Sequence, residues 1–117
     1  EFEVLHGYDE ILLSGLAIGA KAGVGSTYNY AGKVYNELLA AFEAGNLEKA
    51  RKLQQYSVEI VKVIIKYGGG VRGGKAIMNL LGIECGECRL PMNRFTAEEY
   101  ESLRADLESI DFFERIK

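Results

Sequence analysis

The sequence predicts an α/β fold that opens with short parallel strands and closes in helices alone. Three observations carry this reading. Strand and helix signals alternate over residues 1–44, and from Gly45 onward only helical periodicity remains. The strand candidates are short and lack polar–apolar alternation, as expected where both faces of a sheet are covered. Composition permits a folded core, since 48% of the 117 residues are hydrophobic and 26% charged, which excludes disordered and fibrous classes.

The first strand is assigned to Glu1–Leu5 and ends at His6-Gly7. Ile11, Leu12, Leu13, Leu16 and Ile18 then form a nearly all-round apolar helix, of the kind buried between layers, with Gly19 as its stop. A second strand fits Ala22–Ser26, followed by a polar loop from Thr27 to Gly32. Val34, Leu38, Leu39 and Phe42 recur at helical spacing in the next element. Gly45-Asn46 reads as a helix-ending glycine followed by an N-cap, with Glu48 in the new first turn. That long helix carries Leu47, Ala50, Leu53, Val58, Val61, Ile64 and Ile65, and Gly68-Gly69-Gly70 ends it. A shorter helix bears Ile77, Met78, Leu80 and Leu81 and stops at Gly82. Thr96 and Glu99 form a capping box that opens a last helix with Tyr100, Leu103 and Leu107 on one face.

Two organisational units follow: 1–44, with two strand–helix repeats, and 45–117, a helical extension. Two parallel strands leave two open edges, so residues 1–44 are expected to be the end of a larger α/β array. The absence of an initiating Met before Glu1 points the same way, to a processed chain or a piece of a longer one.

The charge balance of 14 Lys and Arg against 17 Asp and Glu gives a formal net charge of −3, with no basic block. Nucleic acid and anionic membranes are therefore set aside as partners. No apolar run reaches the roughly 18 residues of a membrane span, and residues 1–20 carry no secretory signal, so a cytoplasmic protein is expected. Cys85 and Cys88 are too few for a disulfide framework. As a zinc or redox pair they lack further ligands, and they run into Arg89-Leu90-Pro91 rather than opening a helix, so they read as two loop thiols. Gly69–Ala76 nearly matches a phosphate-cradling loop, but Ala76 stands where a hydroxyl must hold Mg²⁺, and a glycine-rich connection between helices is the better reading. No metal or cofactor is expected.

In parallel arrays the loops after the carboxyl ends of strands form the active face. Those loops here are His6-Gly7-Tyr8-Asp9-Glu10 and Gly25-Ser26-Thr27-Tyr28-Asn29. Asp9 and Glu10 supply acceptors for hydroxyl groups, Ser26 both donates and accepts, and Gly7 and Gly25 admit close backbone approach, which suits a polyhydroxylated ligand. The competing role for Asp9 and Glu10 is to cap the following helix through its dipole. His6 reads as a hydrogen-bonded loop residue.

These two segments resemble the strand-seven and strand-eight regions of the N-acetylneuraminate lyase branch of the pyruvate-dependent class I aldolases, a group that includes dihydrodipicolinate synthase. Lys75 in Arg72-Gly73-Gly74-Lys75 and the run Cys88-Arg89-Leu90-Pro91-Met92 resemble the same region of that branch. The resemblance implies the C-terminal part of a (β/α)8 TIM barrel, its last two βα units, followed by a bundle of helices. Roughly six βα units of such a barrel are then outside this sequence. It further implies Schiff-base cleavage of N-acetylneuraminate (sialic acid) to N-acetylmannosamine and pyruvate, with the catalytic lysine and tyrosine elsewhere, and a homotetramer. Lys21 precedes the second strand, at the opposite face. By the same resemblance Gly7, Asp9, Glu10 and Ser26 contact the substrate, while Tyr8, Thr27, Tyr28 and Asn29 share the motifs with packing as their competing role. A pyruvate aldolase acting on another 2-keto acid and a noncatalytic helical interaction module are the alternative readings.

Overall fold

A computed structural model describes residues 2–117; Glu1, placed above in the first strand, lies outside them. A 3-10 turn, Asp9–Ile11, leads into α1 (Leu12–Ala17), and α2 (Tyr28–Glu43), α3 (Leu47–Lys66), α4 (Gly69–Leu80), α5 (Ala97–Glu108) and α6 (Phe112–Arg115) follow. Among the described residues the two expected strands are reduced to one parallel bridge between His6 and Gly23. Its hydrogen bonds run from His6 N to the Ala22 carbonyl and from Val24 N to the His6 carbonyl, both 2.9 Å. The pairing is parallel, as expected. It does not extend because a two-stranded parallel pair, with no third strand beside it, has little to hold it flat.

Two further expectations are corrected. Thr27–Gly32 is not a polar loop, since α2 starts at Tyr28 with Thr27 as its N-cap, and a non-helical Ala31 kinks it within its first turn. Gly69–Ala76 is neither a phosphate loop nor a connection, because α4 already begins at Gly69. The break between α3 and α4 runs through Tyr67 and Gly68, and Gly68 and Gly69 take φ values of 88° and 78°, left-handed values suited to glycine. Within α4 the glycines are kept by close packing: a Cβ on Gly73 would lie 3.1 Å from the Ile64 carbonyl, and one on Gly74 3.3 Å from the Tyr30 ring. Helix propensity is lost at these positions and close approach of α3 and α2 is gained.

The caps behave as their residues dictate. Asn46 Oδ1 accepts from Lys49 N at 3.0 Å, and the Thr96–Glu99 box is closed in both directions. α3 is the central element and packs against the 3-10 turn and α1, α2, α4 and α5. Its buried face runs through Ala50, Tyr56, Ser57, Ile60, Val63 and Ile64, whereas Leu47 and Ile65 of the expected apolar set are exposed. The core joins Leu12 and Leu16 to Val34, Tyr35 and Leu38 of α2, Ile77 of α4, and Leu103 and Leu107 of α5. Phe112 of α6 is fully buried, 6.4 Å from the Tyr30 ring centre. No described helix is long and apolar enough to cross a membrane.

The opposite end of the molecule is uncovered. Phe2, Val4, Leu5, Ile18 and Val24 are exposed, and a groove of about 790 Å³ lies between residues 2–8 and Ile18–Ala22.

Candidate functional site

The parallel bridge brings the two candidate loops side by side, and Asp9 is the residue that joins them. Its side chain is only 6% exposed. Oδ2 accepts from Thr27 N at 3.0 Å and from the Thr27 hydroxyl at 2.5 Å. With that hydroxyl proton committed to the carboxylate, Tyr35 donates its own to Thr27 Oγ1 across 2.7 Å. Asp9 therefore caps α2 across 18 residues of sequence, placing a negative charge at its positive end. This differs from the dipole role weighed for it, in which it would serve the helix that directly follows.

Asp9 Oδ1 is buried with no hydrogen-bond partner among the described residues. It lies against the Gly25 backbone, where any Cβ would overlap the carboxylate. Only glycine leaves the Asp9 carboxylate in this place. Tyr28 and Tyr30 complete the wall, with hydroxyls that are likewise buried and unpartnered. The Tyr28 ring meets the Tyr35 ring edge-on at 4.4 Å. Burial first, and then the Asp9 charge, push the Tyr28 hydroxyl well above the usual phenol range. Burial pushes Tyr35 up to about 12, against the opposing pull of the Thr27 and Ser57 hydroxyls.

The other predicted residues sit around this buried centre. Glu10 is half-buried on the same turn, Gly7 is exposed at the start of the loop, and Ser26 is half-buried, its side chain against Gly70 of α4. Tyr8 is exposed and Asn29 holds the Ser26 carbonyl through Nδ2 at 3.0 Å. His6 is the hydrogen-bonded loop residue expected of it: Nε2 donates to the Tyr8 carbonyl at 2.8 Å. The site combines a buried acceptor and two buried hydroxyls with a polar rim, and among the described residues no Lys, Arg or His side chain hydrogen-bonds to Asp9, a chemistry compatible with a hydroxyl-bearing ligand.

Sequence reasoning missed Gln54. From α3 its amide reaches the backbone on both sides of the Asp9–Ile11 turn. No local signal marks it, because its partners lie 41 and 45 residues away.

A second polar cluster explains Lys75 and the cysteines. Arg72 lies over the Phe95 ring at 4.3 Å, donates to the carbonyls of Asn93 and Arg94 at 2.9 Å, and pairs with Glu99 at 2.7 Å. Lys75 donates to the carbonyls of Cys85 and Glu87 at 2.9 and 3.1 Å, so its ammonium holds a loop rather than a phosphate. Cys85 and Cys88 are free, half-buried loop thiols. Among the described residues no three of His, Cys, Asp or Glu are gathered as a metal site.

The model of the dihydrodipicolinate synthetase family matches residues 1–110. The N-acetylneuraminate lyase of Mus musculus is 45% identical over 113 residues, which is 96% of this chain and 35% of the lyase. The solved N-acetylneuraminate lyase of Proteus mirabilis superposes with a TM-score of 0.87 at 37% identity, over 95% of this chain and 37% of that one. A dihydrodipicolinate synthase from Bacillus anthracis superposes with a TM-score of 0.82 at 31% identity, over 92% of this chain and 37% of its own. The chain thus spans little more than a third of the length of the relatives it matches. With a family match over nearly its whole length and relatives above 40% identity that carry the lyase name, the chain belongs to the dihydrodipicolinate synthetase family.

Proposed function

We propose that this chain is the C-terminal part of an N-acetylneuraminate lyase and supplies the sugar-recognising side of its active site. In this reading residues 1–44 are the last two βα units of a (β/α)8 barrel, and 45–117 are its helical extension. A lysine on another strand forms a Schiff base with the ketone of the open-chain sugar acid, and the protonated imine accepts the electron pair released when the carbon–carbon bond breaks. A tyrosine on an earlier strand takes the proton of the hydroxyl whose carbon becomes the aldehyde, N-acetylmannosamine leaves, the enamine left on the lysine is protonated on carbon, and hydrolysis of the resulting imine releases pyruvate. This chain's share is to hold the hydroxyl-bearing part of the substrate. Asp9 and Glu10 accept from sugar hydroxyls, Ser26 donates or accepts, and the exposed Gly7 backbone lies alongside. The uncovered apolar end receives the preceding barrel strands. A homotetramer in the cytoplasm accompanies this reading.

The observation that carries it is the pairing of a buried carboxylate, Asp9, whose second oxygen lacks a partner, with 45% identity to a lyase over 96% of the chain. The test is borohydride reduction of the full-length protein in the presence of pyruvate, read by intact mass and peptide mapping. A pyruvate adduct on a lysine outside these residues, with cleavage of N-acetylneuraminate, is the expected result. A full-length protein that gains no adduct and cleaves no sialic acid overturns the proposal.

A further inference from the structure

Gln54 is embedded between α3 and the turn that carries the candidate carboxylates. Its Oε1 accepts from Leu13 N at 2.7 Å, and its Nε2 donates to the Asp9 carbonyl at 3.1 Å and to Ser57 Oγ at 2.6 Å. Ser57 in turn donates to the Gln54 backbone carbonyl at 2.7 Å. A backbone N–H on one side and a backbone carbonyl on the other admit one orientation of the amide. The Leu13 N–H belongs to the first turn of α1, where amides lack intrahelical partners, and Ile11 offers no side-chain cap. Gln54 supplies that missing acceptor from another helix.

We propose that Gln54 is a positioning residue for the loop that presents Gly7, Asp9 and Glu10. It holds the main chain at Asp9 and Leu13, while Thr27 independently holds the Asp9 carboxylate. Asp9 is thus fixed at both ends, and Glu10 lies between the two backbone points that Gln54 grips. The direction in which Glu10 reaches is set by α3. The consequence for substrate rests on the reading of these residues as sugar contacts, whereas the mechanical consequence does not. Displacing a binding group by a fraction of an ångström is enough to weaken its contacts steeply.

The test uses the full-length protein with Gln54→Met, which keeps the volume and removes both backbone hydrogen bonds, and Gln54→Glu, which keeps the acceptor for Leu13 N and removes the donor to Asp9. Amide hydrogen exchange over residues 8–14, steady-state cleavage of N-acetylneuraminate and borohydride trapping of pyruvate are read together. In Gln54→Met, exchange over the loop accelerates and KM for the sugar acid rises about tenfold, while pyruvate trapping stays at the unmodified protein's level. Gln54→Glu falls between the two. Loop exchange unchanged in both variants overturns the positioning role, as does a sugar KM unchanged where the loop has loosened. Should the unmodified protein neither trap pyruvate nor cleave the sugar, the lyase reading fails, and loop exchange alone then decides whether Gln54 positions the turn. A general loss of fold in Gln54→Met would show as fast exchange throughout α2 and α3, and Gln54→Glu then carries the comparison.

Discussion

At the scale of single residues, the Asp9–Thr27–Tyr35 chain is the most consequential arrangement in the molecule. Removing the middle member weakens both neighbours. Thr27→Val takes from Asp9 Oδ2 one of its two hydrogen bonds, the bond from Thr27 N remaining, and leaves the buried Tyr35 phenol without its Thr27 acceptor; it is expected to cost about 2 kcal/mol, against about 1 kcal/mol for Tyr35→Phe, which removes one bond at the end of the chain. Denaturant unfolding of the full-length protein measures both. Equal losses for the two variants would contradict the network. The double variant should lose less than the sum of the singles, because the residues share one hydrogen-bond path. Asp9, Glu10, Gly7 and Ser26 could be picked from the sequence because strand-end loops rich in short polar residues are a local signal. The support beneath them could not. Thr27 was visible as a motif member but not as the residue that grips Asp9, and Gln54 gave no signal, since it contacts groups brought close only by tertiary packing.

Among the elements, α3, α4 and α5 are joined by polar contacts whose strength depends on charge. Tyr67 at the end of α3 donates to Asp106 Oδ2 of α5 at 2.7 Å, and Lys66 lies 3.3 Å from the same oxygen. The Tyr67 hydroxyl first, and Lys66 after it, hold the Asp106 carboxyl below its ordinary range. A depressed carboxyl contributes stability that is present above its unfolded value, near 3.9, and is lost as pH falls through the folded one. Tyr67→Phe is therefore expected to cost about 1 kcal/mol at neutral pH, with the difference shrinking as the solution is acidified below about pH 4. A gap independent of pH would show that the hydroxyl acts through packing alone. Thr96→Ala opens the capping box of α5 and is expected to cost about 1 kcal/mol in thermal or chemical unfolding. Local chemistry made the caps at Asn46 and Thr96 legible. The start of α2 was not, because Tyr28, Asn29 and Tyr30 have loop-like polarity, and the helix forms there through the Asp9 cap on Thr27 N. Nor was the start of α4, where glycine propensity argues for a break and tight packing on Ile64 and Tyr30 overrides it.

For the whole molecule, the contrast between its two ends governs behaviour. The helices bury Leu38, Ile60, Ile77, Leu103 and Leu107 while Ile65, Val71 and, in the loop after α4, Ile83 and Leu90 are exposed, and Phe2, Val4, Leu5, Ile18 and Val24 remain in water beside a parallel pair with open edges. The 117-residue chain produced alone is expected to self-associate at micromolar concentration, and to become monodisperse when the rest of the full-length protein is supplied. Light scattering after size exclusion reads this directly. A stable, dye-silent monomer would count against the exposed end as a contact surface. That helices dominate from Leu47 onward was evident from periodicity. That the strands shrink to one bridge was not, because strand length depends on pairing with further strands, and among the described residues this pair has none.

Phe112, fully buried beside Tyr30, gives the order of synthesis a structural meaning. A chain leaving the ribosome delivers the Asp9 and Ser26 loops before Gln54, and Gln54 before the ring that closes the core beneath α2. The recognition loops therefore exist as sequence well before they exist as a shaped surface. A message cut short before Phe112 would encode every candidate contact residue and still yield no finished site.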